Sequence, residues 1–234
     1  MTSVDELRAR VAVAYDRLGL PAWPNPHAGM DSPPEEEYSR VTDPGRYAIV
    51  HARARVWADV LGDRTGVVVD VLGSGSRDVE GSLGTFDRGV RITPARPGTL
   101  PLLLLERDAP LDRAPDRAPE RAEGTLPVLH VDVARPGTAV GMLPDCGCDA
   151  CDHGSQDLLD AIDSWVGQVV AGPMVLLRGA GWYARWHPDG GESGGAGRGP
   201  DHRQLMELCR RLADGQDVRL PERSEAFVGG PWFG

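Results

Sequence analysis

Lysine is absent: all 25 residues in the Lys+Arg total are arginine. The absence removes mechanisms by chemistry. A pyridoxal phosphate imine, the Walker A phosphate cradle and the kinase strand lysine each need a primary amine, which a guanidinium cannot replace. A GC-rich coding bias would produce the same arginine-for-lysine pattern, so the absence excludes functions without pointing to one. Long apolar runs are also lacking. The longest is Leu100-Pro101-Leu102-Leu103-Leu104-Leu105, far short of the roughly 18 residues that a membrane-spanning helix requires. The first residues, Met1-Thr2-Ser3-Val4-Asp5-Glu6, show neither a basic segment nor an apolar stretch, so no secretion signal is read and a cytoplasmic protein is expected. Positive charge is in deficit, with a formal net charge of −10. That argues against duplex nucleic acid, whose binding depends on cations displacing counterions from phosphates, and would suit a protein partner with a basic surface.

What is present reads as one α+β domain over residues 1–234, a mostly antiparallel sheet packed by N-terminal, central and C-terminal helices. Ser3 and Glu6 form a capping-box signature ahead of Leu7, Val11, Ala14 and Leu18 at helical spacing. A proline-rich stretch, residues 21–30, reads as a wrapped loop, and Pro33 to Glu37 as a helix start. Asp43-Pro44 opens a longer helix ending near Gly62. Residues 67–72, 90–93, 100–106 and 128–133 are strand-like. The period-four Arg-Ala-Pro stretch predicts a disordered hairpin insertion at 108–124. Ser155 is placed to cap a helix carrying Leu158, Leu159, Ile162, Trp165, Val166, Val169 and Val170. A hairpin turning at Gly179-Ala180-Gly181 follows, then a glycine-rich loop at 189–200 and a last helix opened by Asp201 and Gln204.

Three of the four cysteines fall within six positions, in Asp145-Cys146-Gly147-Cys148-Asp149-Ala150-Cys151-Asp152-His153. Thiolates at this spacing can converge on one soft cation, with Gly147 allowing a sharp turn and the aspartates adding negative potential. Zinc is the default ion, with Cys146, Cys148 and Cys151 as ligands and His153 as the fourth; Cys209, from the last helix, is the other candidate for that position. Three other readings stay open. Cys148-Asp149-Ala150-Cys151 is a redox spacing, although neighbouring aspartates oppose a low thiol pKa. Cys151-Asp152-His153-Gly154-Ser155 invites comparison with small CDGSH-type iron–sulfur domains, with the residue order scrambled. Buried thiols in an aspartate-capped turn would need no ion at all.

Gly191-Glu192-Ser193-Gly194-Gly195 matches the nucleophile-elbow pattern. An elbow serine sits between a strand and an immediate helix, and no helix can begin here before about Asp201. Glu35, Glu36 and Glu37 diverge around a helix and read as a solvated start, and the tryptophans as packing.

The segments Pro33-Pro34-Glu35-Glu36-Glu37-Tyr38-Ser39-Arg40-Val41-Thr42-Asp43-Pro44-Gly45-Arg46-Tyr47, Thr93-Pro94-Ala95-Arg96-Pro97-Gly98-Thr99-Leu100-Pro101-Leu102-Leu103-Leu104 and Leu143-Pro144-Asp145-Cys146-Gly147-Cys148-Asp149-Ala150-Cys151-Asp152 resemble an uncharacterised actinobacterial domain-of-unknown-function family along nearly the whole chain. The resemblance implies one domain in a bacterial cytosol and supplies no activity, cofactor or catalytic residue. From the residues themselves a binding or adaptor-type protein with a structural zinc turn is expected, because no convergent nucleophile, base and oxyanion set can be read. A metal-dependent hydrolase using the same ion and an acidic, immunity-like binder of a basic partner are the alternatives.

Overall fold

The structure is a computed structural model and describes residues 3–38, 40–77, 84–111, 124–196 and 199–233. Its helices are α1 (Val4–Asp16), α2 (Ile49–Gly62), α3 (Ser155–Ala171) and α4 (His202–Ala213). Both expected capping boxes are present. Glu6 N donates to Ser3 Oγ at 3.1 Å and Gln204 N to Asp201 Oδ1 at 2.8 Å, each satisfying an amide that the first helical turn leaves open. Pro44–Ala48 is a 3-10 turn leading straight into α2, whereas Glu35–Glu37 forms one isolated 3-10 turn in place of a helix. Ser155 does not cap α3. It is the first helical residue, preceded by Gly154, and its hydroxyl bonds the backbone of Trp23 instead.

The larger sheet contains β1 (Val67–Leu72), β4 (Arg88–Pro94), β5 (Leu102–Pro110), β6 (Thr125–Val133) and β7 (Ala139–Leu143), in the order β1-β4-β5-β6-β7. All neighbours are antiparallel. Period-two alternation sorts its side chains between two faces. Leu102, Leu104, Val131 and Val133 join Trp57, Leu61, Ile162 and Val166 in the main core under α1, α2 and α3. Leu103 and Leu105 face the other way and are covered by Phe86 of a small hairpin, β2 (Gly75–Ser76) with β3 (Thr85–Phe86). Beneath that hairpin Arg77 makes a bidentate pair with fully buried Asp132, at 2.9 and 2.8 Å. Arg53 and Trp57 of α2 both donate to Asp163 of α3, tying two helices through one carboxylate. The arginines thus fill a role suited to a planar fork rather than to an ammonium.

A second antiparallel sheet has the order β10-β9-β8-β11, with β8 (Met174–Gly179), β9 (Trp182–His187), β10 (Gly190–Gly194) and β11 (Glu225–Gly229). Leu205 and Cys209 of α4 pack on its Val175, Leu177 and Ala184. Met174, Leu176 and Trp232 belong to the main core, so the two sheets share one apolar interior. The architecture is α+β, as expected.

Residues 190–194, expected within the glycine-rich loop, form strand β10. Glycine composition reads as a breaker, but here the missing Cβ is what admits the partner: one on Gly191 would stand 2.8 Å from Arg185 O of β9. The expected insertion begins and ends inside the β5–β6 ladder, which runs to the pair Pro110 and Thr125. Its interior, 112–123, lies outside the described residues. No described helix is long and apolar enough to cross a membrane.

Candidate metal centre

The cysteines leave β7 through Pro144 and enter a turn set by two glycines. Gly147 has φ +70°, and a Cβ there would lie 2.6 Å from Leu126 Cδ2 of β6. Gly154 has φ +92°, and its Cβ would meet Asn25 N at 2.7 Å. Each therefore needs glycine twice over, for left-handed backbone and for close approach to a neighbour. Between them Asp149–Cys151 makes a 3-10 turn, Cys151 N donating to Cys148 O at 3.0 Å.

This turn brings the three Sγ atoms within 4.8 Å of one another, with Cys146 and Cys148 at 3.2 Å. None forms a disulfide. Tetrahedral bonds of about 2.3 Å place thiolate sulfurs about 3.8 Å apart, so the triad is close to the spacing that a single ion imposes. Cys148 is buried, while Cys146 and Cys151 reach solvent. Cys148 and Cys151 resist ionisation in this arrangement. Burial pushes Cys148 up, helped by its contact with Cys146. Hydrogen bonds with Cys146 and Cys148, then burial, push Cys151 up to about 12. One thiolate among three crowded sulfurs repels the next, and a cation at their centre would remove that cost.

Two of the three flanking aspartates, Asp149 and Asp152, are committed elsewhere. Asp149 accepts from Arg40 Nε at 2.7 Å, Thr42 N at 2.9 Å and Thr42 Oγ1 at 2.5 Å. Burial alone would raise its pKa, but these donors from Thr42 and Arg40 hold the carboxyl below its usual range. Asp152, almost fully buried, accepts from Trp23 Nε1 at 2.9 Å and Gly154 N at 2.8 Å and pairs with Arg46 at 2.9 Å. The Arg46 guanidinium also lies 5.2 Å from the rings of both Trp23 and Tyr47. The backbone joins the same clasp, with Asp149 N donating to Arg40 O and Ser155 N to Trp23 O. His27 completes it, Nε2 lying 2.7 Å from Glu37 and Nδ1 3.3 Å from Asp152 O; the Glu37 bond raises its pKa. The proline-rich loop and the segment from Glu37 to Arg46 thus grip the cysteine turn from Asp149 to Ser155.

Of the residues expected at the site, Cys146, Cys148 and Cys151 come together and His153 does not join them. His153 is solvent-exposed and outside the sulfur group. Cys209 lies in the core of the second sheet. Ser193 sits mid-strand on β10, its Oγ 3.0 Å from His202 Nδ1, in an exposed pair that lacks the strand-to-helix turn of an elbow. Sequence reasoning missed Trp23, His27, Arg40, Thr42 and Arg46 as positioning residues. A signal existed: 33–47 and 143–152, two of the three segments that carry the family resemblance, are the ones that meet here.

A family model described as a family of unknown function (DUF6226) matches residues 9–234. No curated protein and no solved structure matches the chain.

Proposed function

The chain belongs to DUF6226, whose function is unknown, and from that premise we propose a non-catalytic, metal-binding module of adaptor type. Its cysteine turn holds one soft divalent cation, zinc by default, through the thiolates of Cys146, Cys148 and Cys151. The observation that carries this reading is the convergence of three unbridged sulfurs within 4.8 Å on a turn that the rest of the chain holds in shape. Sulfur donors select zinc, copper(I) or similar ions over magnesium or calcium. Reduced thiols fit a cytosolic setting, and the net charge of −10 fits a partner with a basic surface.

Zinc adds to the attachment of α3 rather than supplying it, because Asp152 and Ser155 already bind Trp23. A hydrolytic role gains nothing from the same neighbours. A zinc hydrolase needs a base beside the metal-bound water, and the buried aspartates of this turn are occupied by Arg40, Thr42, Trp23 and Arg46. Elemental analysis of protein purified without an affinity tag tests the reading. One equivalent of zinc that is lost in Cys148→Ser is expected; a metal-free wild type that also fails to take up added zinc rejects it.

A further inference from the structure

Resting on the three-thiolate reading, the geometry points to a fourth coordination position that is filled from outside the chain by a small thiolate donor, making the turn an exchange site for its ion. Every ligand comes from one turn, and among the described His, Cys, Asp and Glu side chains only these three sulfurs form a group able to hold an ion. Within the turn Asp149 is bound by Arg40 and Thr42 and Asp152 by Trp23, Arg46 and Gly154, while Asp145 and His153 are exposed and outside the sulfur group. Tetrahedral zinc requires a fourth donor. Two of the three cysteines, Cys146 and Cys151, are exposed, so the open side of the ion faces solvent.

The clasp fixes the turn without help from the ion. Gly147 against Leu126, Gly154 against Asn25 and the two anchored aspartates fix the backbone that carries the sulfurs through contacts that involve no metal. Entry and exit of the metal therefore need no unfolding, in contrast to sites where binding is folding. The donor class follows from the set already present, since an ion bound by three soft thiolates in a solvent-facing site is matched by a fourth thiolate. The exchange step is ligand substitution: a bound water leaves, the incoming thiol gives its proton to solvent, and a metal–sulfur bond forms without oxidation or reduction.

The test uses full-length protein loaded with cobalt(II), titrated with 2-mercaptoethanol and read by absorption, with cobalt in 2-mercaptoethanol alone as the blank. One equivalent of thiol is expected to raise the thiolate-to-cobalt charge-transfer intensity by about a third, as four sulfurs replace three, with far-UV circular dichroism unchanged. His153→Ala is expected to leave the thiol-free spectrum as it is. Cobalt bound with a spectrum indifferent to thiol but altered in His153→Ala overturns the inference while sparing the metal reading. Failure of the wild type to bind cobalt overturns both.

Discussion

Cys151 and Cys209 both hold their protons to about 12, for opposite reasons. Cys209 is raised by burial alone, fully enclosed with Val175, Leu177, Ala184 and Leu205. Cys151 is exposed, and its proton is held first by Cys146 and Cys148. An ion placed among three sulfurs reverses the second effect and leaves the first untouched. A high thiol pKa therefore has two sources, enclosure in an apolar core at one site and neighbouring thiols at the other; the neighbours distinguish them.

The largest effect is expected at the clasp. Asp152→Ala leaves the Trp23 indole and the Arg46 guanidinium without their buried acceptor, a loss worth about 3–5 kcal/mol for a broken buried pair. Denaturant unfolding should show that loss, and metal uptake should weaken with it because the sulfurs are no longer held together. Unchanged stability would mean that the turn is held by something other than this carboxylate.

His130, like Cys209, owes its pKa first to burial. It is fully buried on β6, both ring nitrogens lack a hydrogen-bond partner among the described residues, and burial, then the Arg77 charge, lowers its pKa to about 3. The native state therefore refuses a proton that the unfolded chain accepts below about 6.5. The stability present above pH 6.5 is lost as pH falls through the window from 6.5 towards 3, at about 1.4 kcal/mol per unit, or about 2 kcal/mol by pH 5. In His130→Leu that part of the acid dependence should disappear from urea midpoints measured between pH 7 and 5. An equally steep acid limb in the variant would contradict the assignment.

The smallest effect is expected at Cys209. Removing one buried sulfur with Cys209→Ala should cost about 1 kcal/mol of packing and leave metal stoichiometry unaltered. A fall in bound zinc would bring α4 into the site and end the contrast.

Local signals made much of this fold legible. Capping residues located α1 and α4, and apolar periodicity located α2, α3 and the central strands. β10 was hidden because glycine reports a backbone that breaks or one that is closely approached, and only the partner strand decides which. The cysteine group was legible because all three sulfurs lie in six residues. Its clasp was not: Arg40 and Asp149 are far apart in sequence, and charge patterning alone made the aspartates look like field around an ion. Ser155 shows the same limit, since a serine before a helix is a capping signal until a distant loop offers Trp23 as a better partner.

X-ray absorption at the metal edge of the zinc-loaded protein reads the number of bound sulfurs itself. In thiol-free buffer, three sulfurs at about 2.3 Å with one water oxygen at about 2.0–2.2 Å are predicted. A shell with fewer than three sulfurs, or a metal–metal distance revealing a cluster, would contradict a single ion gripped by Cys146, Cys148 and Cys151.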